Sequence, residues 1–530
     1  MKTSIPPVLI TFVLVCFAHL PKARAVVPPP DGGYPGFNTA EGTNALKNLT
    51  TGVGNAAVGW YSLFSNTDGS FNTAVGAGTL LFNIGDQSTG DGIQNTAVGT
   101  AALLFNTTGT ENTAVGTNAL VNNTTGNFNT AVGSAAFPQN TDGNYNTAVG
   151  RGALFANTAG DRNTALGASA LANNNNGGDN TAVGFAALGN NGPGNFNTAV
   201  GSFALLNSAG NQNTAIGGSA LENSSTGNNN TAVGNAALGF NTIGSDNTAT
   251  GDNALLNNTD GIQNTANGSQ ALASNTSGLH NTALGSEALF TTATGDDNTA
   301  VGFQALYHTT VGNVNTALGS GALDSNTTGN ANVAIGYGAL SHQIGGSGNI
   351  ALGANAGKFV TGANSVIVIG APGANVSGSC FIGNIFGVTP VGQATPVVID
   401  SNGQLGTSSS SVRFKNDITM MGNASEGILS LKPVTFHYKS DQTRTAQFGL
   451  IAEEVARINP DLVIRDTKGE LNTVRYDAVN AMLLNEFLKE HKTVQEQGAM
   501  IARQQKAIEA LTAGLQKVSR SEERRVGKEC

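Results

Sequence analysis

Hydrophobic and polar positions recur at a fixed step along most of the chain. Eighteen successive copies of Asn-x-Ala-x-Gly run from Asn55–Gly59 to Asn349–Gly353. Nearly all neighbouring copies are 17 residues apart; the two exceptions are the 23-residue step after Asn72 and the 16-residue step after Asn197. A fixed period of this length predicts a solenoid, in which each repeat forms one coil stacked on the previous coil.

The copy that begins at Asn112 shows the structure expected for one coil. Strand alternation places Thr113 and Val115 on one face and Ala114 on the other. Glycine and an Asn-Thr-Thr-Gly tract supply the turns, so we expect two short strands and two turns in each coil. The invariant Ala indicates a place too tight for a larger side chain, either inside the coil or against a neighbouring chain. Asparagines aligned along the stack are suited to form hydrogen-bonded ladders.

The fourth position of the motif is usually Val, Leu or Ile, but Thr250 and Asn267 occupy it in adjacent coils. If this position is buried, an unpaired amide there costs about 1–3 kcal/mol. We therefore expect a local weak point in the stack at these two coils.

Charge divides the chain in two. Charged residues make up only 11% of the sequence, against a usual ~25%, and the net charge is −9. Between Val26 and Ser409 the basic residues are Lys47, Arg151, Arg162 and Lys358, whereas eighteen follow from Ser410 onwards. This change predicts a domain boundary near residue 410. A repeat region so poor in cations argues against a nucleic-acid partner, because phosphates require clustered Lys and Arg.

The N-terminus has the features of an export signal over residues 1–25. Lys2 supplies positive charge, Val8–Phe17 is apolar, and Ala23–Ala25 fits a cleavage site between small residues. The predicted location is therefore secreted or cell-surface, with a lead-in over 26–54 and no membrane span after signal removal. Residues 520–530 read like the translation of a sequencing adapter, which leaves Cys380 as the one credible cysteine of the mature chain.

The repeated Asn-Thr-Ala-Val-Gly-x-x-Ala-Leu pattern resembles the head of YadA-like trimeric autotransporter adhesins. The resemblance covers residues 55–353. It implies a left-handed parallel β-roll with three chains side by side, and binding to an unknown host, matrix or cell-surface ligand. The C-terminal β-barrel anchor of those adhesins is not visible here.

The C-terminal third has a different character. Residues 354–409 read as a β-rich neck of short strands. Three ordered segments then follow: Ile428–Tyr438 reads as a strand after a short helix, Gln447–Val455 as a turn entering a helix, and Tyr476–Leu484 as the start of a long helix. Together they resemble the C-terminal intramolecular chaperone domain of phage endosialidases and tail spikes, over residues 410–519. The resemblance implies a homotrimer whose chaperone cuts itself off after assembly.

The cleavage motif of that family has a serine five residues before a lysine, with an arginine between. In this chain the spacing selects Ser410 as nucleophile and Lys415 as base, with Arg413 between them. A serine hydroxyl needs a base, and a desolvated lysine can serve. The bond to be cut would then be Ser409–Ser410. Ser411 stands where the family often has Asp, and Ser409 and Ser411 remain alternative nucleophiles.

The final helix carries one apolar residue every seven positions, which is typical of a coiled coil. The residues at this spacing are Phe487, Val494, Ile501, Ile508 and Leu515. The second seam position would carry His491, Gly498, Gln505 and Thr512. A half-apolar seam predicts a weak coiled coil, and the alternative is a single helix packed on its own domain.

The sequence thus predicts an exported homotrimeric β-solenoid fibre for adhesion or surface display, assembled by its own chaperone. No cofactor or metal site is expected, and enzymatic activity is limited to one self-cleavage per chain. A non-cleaving trimeric adhesin is one alternative. The other is a surface glycan depolymerase, which would need paired carboxylates. The acids available for such pairs are Asp179, Asp246, Asp252, Asp296 and Asp297.

Overall fold

The computed structural model describes residues 35–386, 388, 394–400, 403–439, 441–466 and 468–526. The predicted signal peptide lies outside these residues. The chain divides into two compact units, Met1–Val388 and Thr389–Cys530.

Short strands at regular intervals make up the first unit. They are β1 Thr39–Glu41, β2 Ala56–Val58, β3 Thr73–Val75, β4 Thr96–Val98, β5 Thr113–Val115, β6 Thr130–Val132, β7 Thr147–Val149, β8 Thr164–Leu166, β9 Thr181–Val183, β10 Thr198–Val200, β11 Thr214–Ile216, β12 Thr231–Val233, β13 Thr248–Thr250, β14 Thr265–Asn267, β15 Thr282–Leu284, β16 Thr299–Val301, β17 Thr316–Leu318, β18 Val333–Ile335, β19 Ile350–Leu352, β20 Ile367–Ile369 and β21 Cys380–Ile382.

Each of these strands pairs in parallel with the next one along the chain, so the predicted parallel β-solenoid is confirmed. The register places equivalent residues opposite one another, as in Thr113 with Thr130 and Ala114 with Ala131. The stack also extends past the predicted repeats. The motif copy in β1 lies within the predicted lead-in, and β20 and β21 lie within the predicted neck.

The core of the solenoid is a column of small and medium apolar side chains. In the coil of β5, Ala114, Ala119 and Leu120 are fully buried, and their equivalents are buried in the other coils. The invariant Ala therefore lies inside the coil, which was one of the two places predicted for it. A coil this narrow leaves no room for a larger side chain at that position.

The expectation of two strands per coil is wrong, because each coil has one. Opposite β5, Asn118 and Leu120 have φ values of 56° and 49°, in the left-handed region. Alternate left-handed residues keep the backbone from extending into a strand. This side of the stack is joined by single hydrogen bonds between coils instead, such as Leu120 N–H to the Ala136 carbonyl at 3.0 Å.

Glycine ends most of the strands because the coils touch at that corner. Gly116 has a φ of 136°, and a Cβ there would run into the backbone of Gly133 in the next coil. Only glycine both adopts this conformation readily and allows such close contact. The predicted turn at this glycine is therefore present.

Two ladders of buried asparagines run through the stack, as predicted for aligned amides. In the first ladder, the Asn129 N–H donates to Asn112 Oδ1 at 2.9 Å, and Asn129 Nδ2 donates to the Gly143 carbonyl at 2.8 Å. In the second, Asn123 Nδ2 donates to Asn106 Oδ1 at 2.7 Å. The ladders satisfy polar groups that would otherwise be buried without partners.

The second and fourth residues of each strand motif point outwards and form what we call the outer strand face. Their burial alternates with that of the Ala between them. Thr250 and Asn267 are accordingly exposed, so within one chain they bury no amide and the predicted weak point is wrong. From β2 to β21 this face carries Thr, Ala, Val, Leu, Ile, Asn and Cys side chains and no charged residue.

In its described residues, the second unit contains antiparallel strand pairs, short 3₁₀ helices and two α-helices. The strands are β22 Val397–Ile399, β23 Leu405–Thr407, β24 Val434–Phe436, β25 Gln447–Gly449, β26 Val463–Arg465 and β27 Leu471–Val474, paired in that order. The 3₁₀ helices are Val412–Phe414, Gly422–Ser430 and Pro460–Leu462. The α-helices are α1 Ala452–Ile458 and α2 Tyr476–Val526.

A small apolar core holds the second unit together. It consists of Ile428, Val455, Leu462, Val474 and Met482, contributed by both α-helices, two 3₁₀ helices and β27.

Gln447–Gly449 is a strand where a turn was expected, whereas the predicted strand before it and the long final helix are both present. Within the described residues, none of the helices combines the length and the apolar character that a bilayer crossing requires.

Beyond its first turns, α2 leaves the apolar residues at seven-residue spacing exposed. Phe487, Val494, Ile501, Ile508 and Leu515 are each more than half exposed. A single helix packed on its own domain would bury such a stripe. The stripe therefore remains free to contact other helices.

Candidate functional site

The predicted nucleophile and base lie on either side of a single 3₁₀ turn. The turn spans Val412–Phe414, and it is closed by hydrogen bonds from the Phe414 N–H to the Ser411 carbonyl at 3.0 Å and from the Lys415 N–H to the Val412 carbonyl at 3.1 Å. Such a turn reverses the chain within a few residues. As a result, two side chains five residues apart face each other.

The structure brings Ser410 and Lys415 together. Lys415 Nζ donates a hydrogen bond to Ser410 Oγ at 3.1 Å. Among the three candidate serines of this described segment, Ser410 is the one whose hydroxyl bonds to Lys415. The distance lies within the range that links a nucleophile to its base in serine hydrolases.

Both side chains of this pair are exposed in the single chain. A lysine accepts a proton from serine only when its amine is neutral, and loss of surrounding water favours the neutral form. The turn therefore places the two groups within hydrogen-bonding distance, while the Lys415 amine remains exposed to water in the single chain. Arg413 stacks its guanidinium over the Phe414 ring at 4.5 Å from the centroid.

A second polar cluster joins the 3₁₀ helix Gly422–Ser430 to α2. Ser425 is fully buried and donates to Glu486 Oε1, while Asn485 Nδ2 donates to Ser425 Oγ at 2.6 Å. Lys489 Nζ donates to Glu486 Oε1 at 2.7 Å. The hydrogen bond from Lys489, followed by that from Ser425, lowers the pKa of Glu486 below its ordinary value.

This cluster was not predicted from the sequence. The available signal was the three-residue spacing of Glu486 and Lys489 on a predicted helix, which is suited to an ion pair. Ser425 lies 61 residues away from Glu486, and no local pattern connects them. The cluster fixes the start of α2 against the segment that follows the Ser410–Lys415 turn.

The carboxylates considered for glycan hydrolysis each bond to a group other than a second acid. Their partners are Arg162 for Asp179 at 2.6 Å, Asn229 for Asp246 at 3.1 Å, Asn235 for Asp252 at 3.2 Å, the Leu279 N–H for Asp296 at 2.8 Å, and His280 for Asp297 at 3.2 Å. These bonds connect neighbouring coils along the stack. In the described part of the chain, no group of three or more His, Cys, Asp or Glu residues is placed to hold a metal ion.

One region of the chain matches a known protein family. A family model described as chaperone of endosialidase (peptidase S74) matches residues 410–464. No curated protein and no solved structure gave a significant match to the chain. The matched region begins at Ser410, contains Lys415, and includes β24, β25 and α1. The C-terminal unit therefore contains an intramolecular-chaperone region similar to that of endosialidases, and the solenoid precedes it.

Proposed function

We propose that this protein is an exported homotrimeric fibre for adhesion or surface display, assembled by its C-terminal chaperone region, which then cleaves the Ser409–Ser410 bond. The observation that carries the proposal is the 3.1 Å hydrogen bond between Lys415 Nζ and Ser410 Oγ at the start of the chaperone match. In this reaction Ser410 Oγ attacks the Ser409 carbonyl carbon. Lys415 takes the hydroxyl proton and returns it to the leaving amine of Ser410, which leaves Ser409 joined to Ser410 Oγ as an ester. Water then hydrolyses this ester, which frees the Ser409 carboxylate and restores the Ser410 hydroxyl.

The outer strand face supports assembly into a trimer. It repeats on twenty strands from β2 to β21 without a charged residue, and at ~4.8 Å per strand it is about 95 Å long. An uncharged, largely apolar face of this size is uncommon on a monomer and typical of protein–protein contacts. The exposed apolar residues of α2 that recur every seven positions support the same conclusion, because they match one seam of a coiled coil.

A chaperone region has a clear physical purpose in such a fibre. Because the coils are nearly identical, a chain can pair its coils with the wrong neighbours and lose register. Parallel pairing over long separations is also slow to form. A C-terminal region that associates first would set the register of three chains, and cleavage would then make the assembled state hard to reverse.

The biological use follows from the resemblance of the repeats to adhesin heads. A stack of uniform coils forms a long, rigid surface, and the five acids considered for hydrolysis bond within the stack. These features favour binding and display over glycan hydrolysis. The ligand would be a host, matrix or cell-surface component.

The proposal is tested by intact-mass measurement and denaturing gels on the chain from Val26 onwards. We expect the parent to release a fragment that begins at Ser410, and the Ser410→Ala variant to remain whole. The matched control is Ser411→Ala, which should still be cleaved. Lys415→Arg should abolish cleavage as well, because arginine keeps the positive charge but does not act as a base at neutral pH.

Two results would contradict parts of the proposal. If the parent and Ser410→Ala both stay whole, Ser410 and Lys415 lose their roles and the C-terminal unit is at most a permanent trimerisation cap. If Ser411→Ala abolishes cleavage and Ser410→Ala does not, the nucleophile is Ser411. Sedimentation of the same samples shows whether the chains are trimeric in either case.

A further inference from the structure

A hollow of about 300 Å³ opens on the surface of the solenoid. Its lining consists of Ala135, Arg151, Gly152, Phe155, Ala168, Ser169, Ala172 and Phe185. All of these residues come from four successive coils. The hollow has a floor of small residues, aromatic rings in its walls and one cation.

The hollow exists because a small residue interrupts a column of large ones. Arg151, Ala168 and Phe185 occupy the same position, directly after the motif glycine, in three successive coils. Two coil steps of ~4.8 Å separate Arg151 from Phe185, a distance of about 9.6 Å. The small side chain of Ala168, in the coil between them, leaves the space between Arg151 and Phe185 open. Ala172 has the same effect beside Phe155, which occupies the equivalent position one coil earlier.

The backbone around the hollow is fixed by bonds between coils. The Ser169 N–H donates to the Arg151 carbonyl at 3.0 Å, and the Ala186 N–H donates to the Ala168 carbonyl at 3.0 Å. The shape is therefore formed before any ligand arrives. A preformed site avoids the entropy cost of ordering loops on binding.

Arg151 differs from the other basic residues of the solenoid. Arg162 forms an ion pair with Asp179, while Lys47 and Lys358 each lie over a phenylalanine ring. Arg151 is exposed, and no described residue forms an ion pair or hydrogen bond with its guanidinium. Its five N–H donors are available to a ligand.

We infer that this hollow binds one carboxylate-bearing sugar residue of an acidic glycan. A guanidinium binds a carboxylate through two parallel hydrogen bonds. The rings of Phe155 and Phe185, 41% and 54% exposed, offer apolar surface to the C–H groups of a sugar ring. The Ser169 hydroxyl adds a hydrogen-bonding group at the floor.

The single cation limits the kind of anion that fits. Nucleic acids and other dense polyanions need several clustered Lys or Arg side chains. Arg151 is the one basic side chain in the lining, so it matches one carboxylate on an otherwise uncharged ring. This assignment rests on the proposed function, because it names a ligand class for the displayed fibre.

The test is binding of oligogalacturonate to the full chain from Val26 onwards, measured by saturation-transfer NMR and calorimetry. A neutral galactose oligomer of the same length and a sulfated one are measured beside it. We expect the uronate to bind, and Arg151→Gln to weaken its binding at least about tenfold, as expected for loss of a charge-assisted pair. Arg162→Gln, the matched control on the same solenoid, should bind like the parent.

The outcomes separate this inference from the proposed fibre function. Equal binding of the neutral oligomer, equal loss in Arg162→Gln, or binding of the sulfated oligomer alone would overturn the carboxylate assignment. Sedimentation of each variant reports assembly independently. Trimers that do not bind uronate would overturn the inference and leave the fibre intact, whereas monomers that bind it through Arg151 would support the site and contradict the trimer.

Discussion

At the scale of single residues, the buried asparagine ladders show how one amide completes a coil. In the second ladder, Asn123 Nδ2 reaches the Gly126 carbonyl three residues later at 2.9 Å as well as the preceding coil. Ser208 and Ser224 occupy this position in adjacent coils, and their buried hydroxyls have no partner among the described residues. A serine side chain is too short to span both acceptors.

Ser224→Asn should stabilise the solenoid, because its amide can donate to the Gly227 carbonyl and accept from Asn241. A hydrogen bond of this kind contributes about 1 kcal/mol to the free energy of unfolding. Thermal and urea unfolding of the variant would measure the gain. Ser202→Asn, at an exposed position of the solenoid, is the control and should leave the stability unchanged. A loss of stability in Ser224→Asn would show that this coil cannot accept the ladder geometry.

At the scale of elements, the start of α2 is held by polar groups as well as by its small apolar core. Glu486 accepts hydrogen bonds from Lys489 on its own helix and from Ser425 on the 3₁₀ helix Gly422–Ser430. A carboxylate that receives such bonds is favoured in its charged form. Ser425 in turn accepts from Asn485, so two residues of α2, Asn485 and Glu486, bond to one buried serine.

This arrangement makes the stability of the C-terminal unit depend on pH. The pKa of Glu486 is lowered in the folded state from its ordinary value of 4.5. Its contribution is therefore present above pH 4.5 and is lost as the pH falls through the lower folded pKa. Urea unfolding followed at several pH values should show a decline below pH 4.5 that is smaller in Glu486→Gln. Equal declines in both proteins would show that other groups cause the acid sensitivity.

At the scale of the whole molecule, the outer strand face carries apolar side chains that a single chain leaves exposed to water. Leu284, 41% exposed, lies on this face between Asn267 and Val301 in neighbouring coils. Water surrounds it in one chain, whereas a trimer would place it against a second copy. The hydrophobic effect favours the second arrangement along the full length of the stack.

Leu284→Asp should prevent or weaken trimer formation without unfolding the coil, because a charge buried between chains carries a large desolvation cost. Sedimentation velocity and circular dichroism would measure the two properties separately. Ile243→Asp, at a turn residue that is 56% exposed, is the matched control and should assemble like the parent. Normal trimers from Leu284→Asp would place the interface on another surface.

Several features of the fold were predictable because they depend on residues near one another in sequence. The Asn-x-Ala-x-Gly period predicted the coil, its turns and its ladders. The resemblance to the chaperone family's cleavage motif pointed to Ser410 and Lys415, which the structure places in contact. The copy at Asn38–Gly42 also fits the Asn-x-Ala-x-Gly pattern, 17 residues before Asn55, but it was assigned to the lead-in. The Arg151 hollow was missed because its lining comes from four coils and follows no repeated pattern.

What the sequence determined by itself is the coil. A 17-residue repeat with an invariant small core residue, a glycine corner and a buried amide has few ways to close and stack. Only the tertiary structure decided which residues face outwards. Alternation along a strand assigns residues to two faces, but it does not say which face is enclosed in the coil. On the strand side, the stacked coil is so narrow that it buries Ala114 and its equivalents and leaves the larger Val and Leu side chains of the strands outside. Likewise, the contact between Ser425 and Glu486 depends on folding that brings distant segments together.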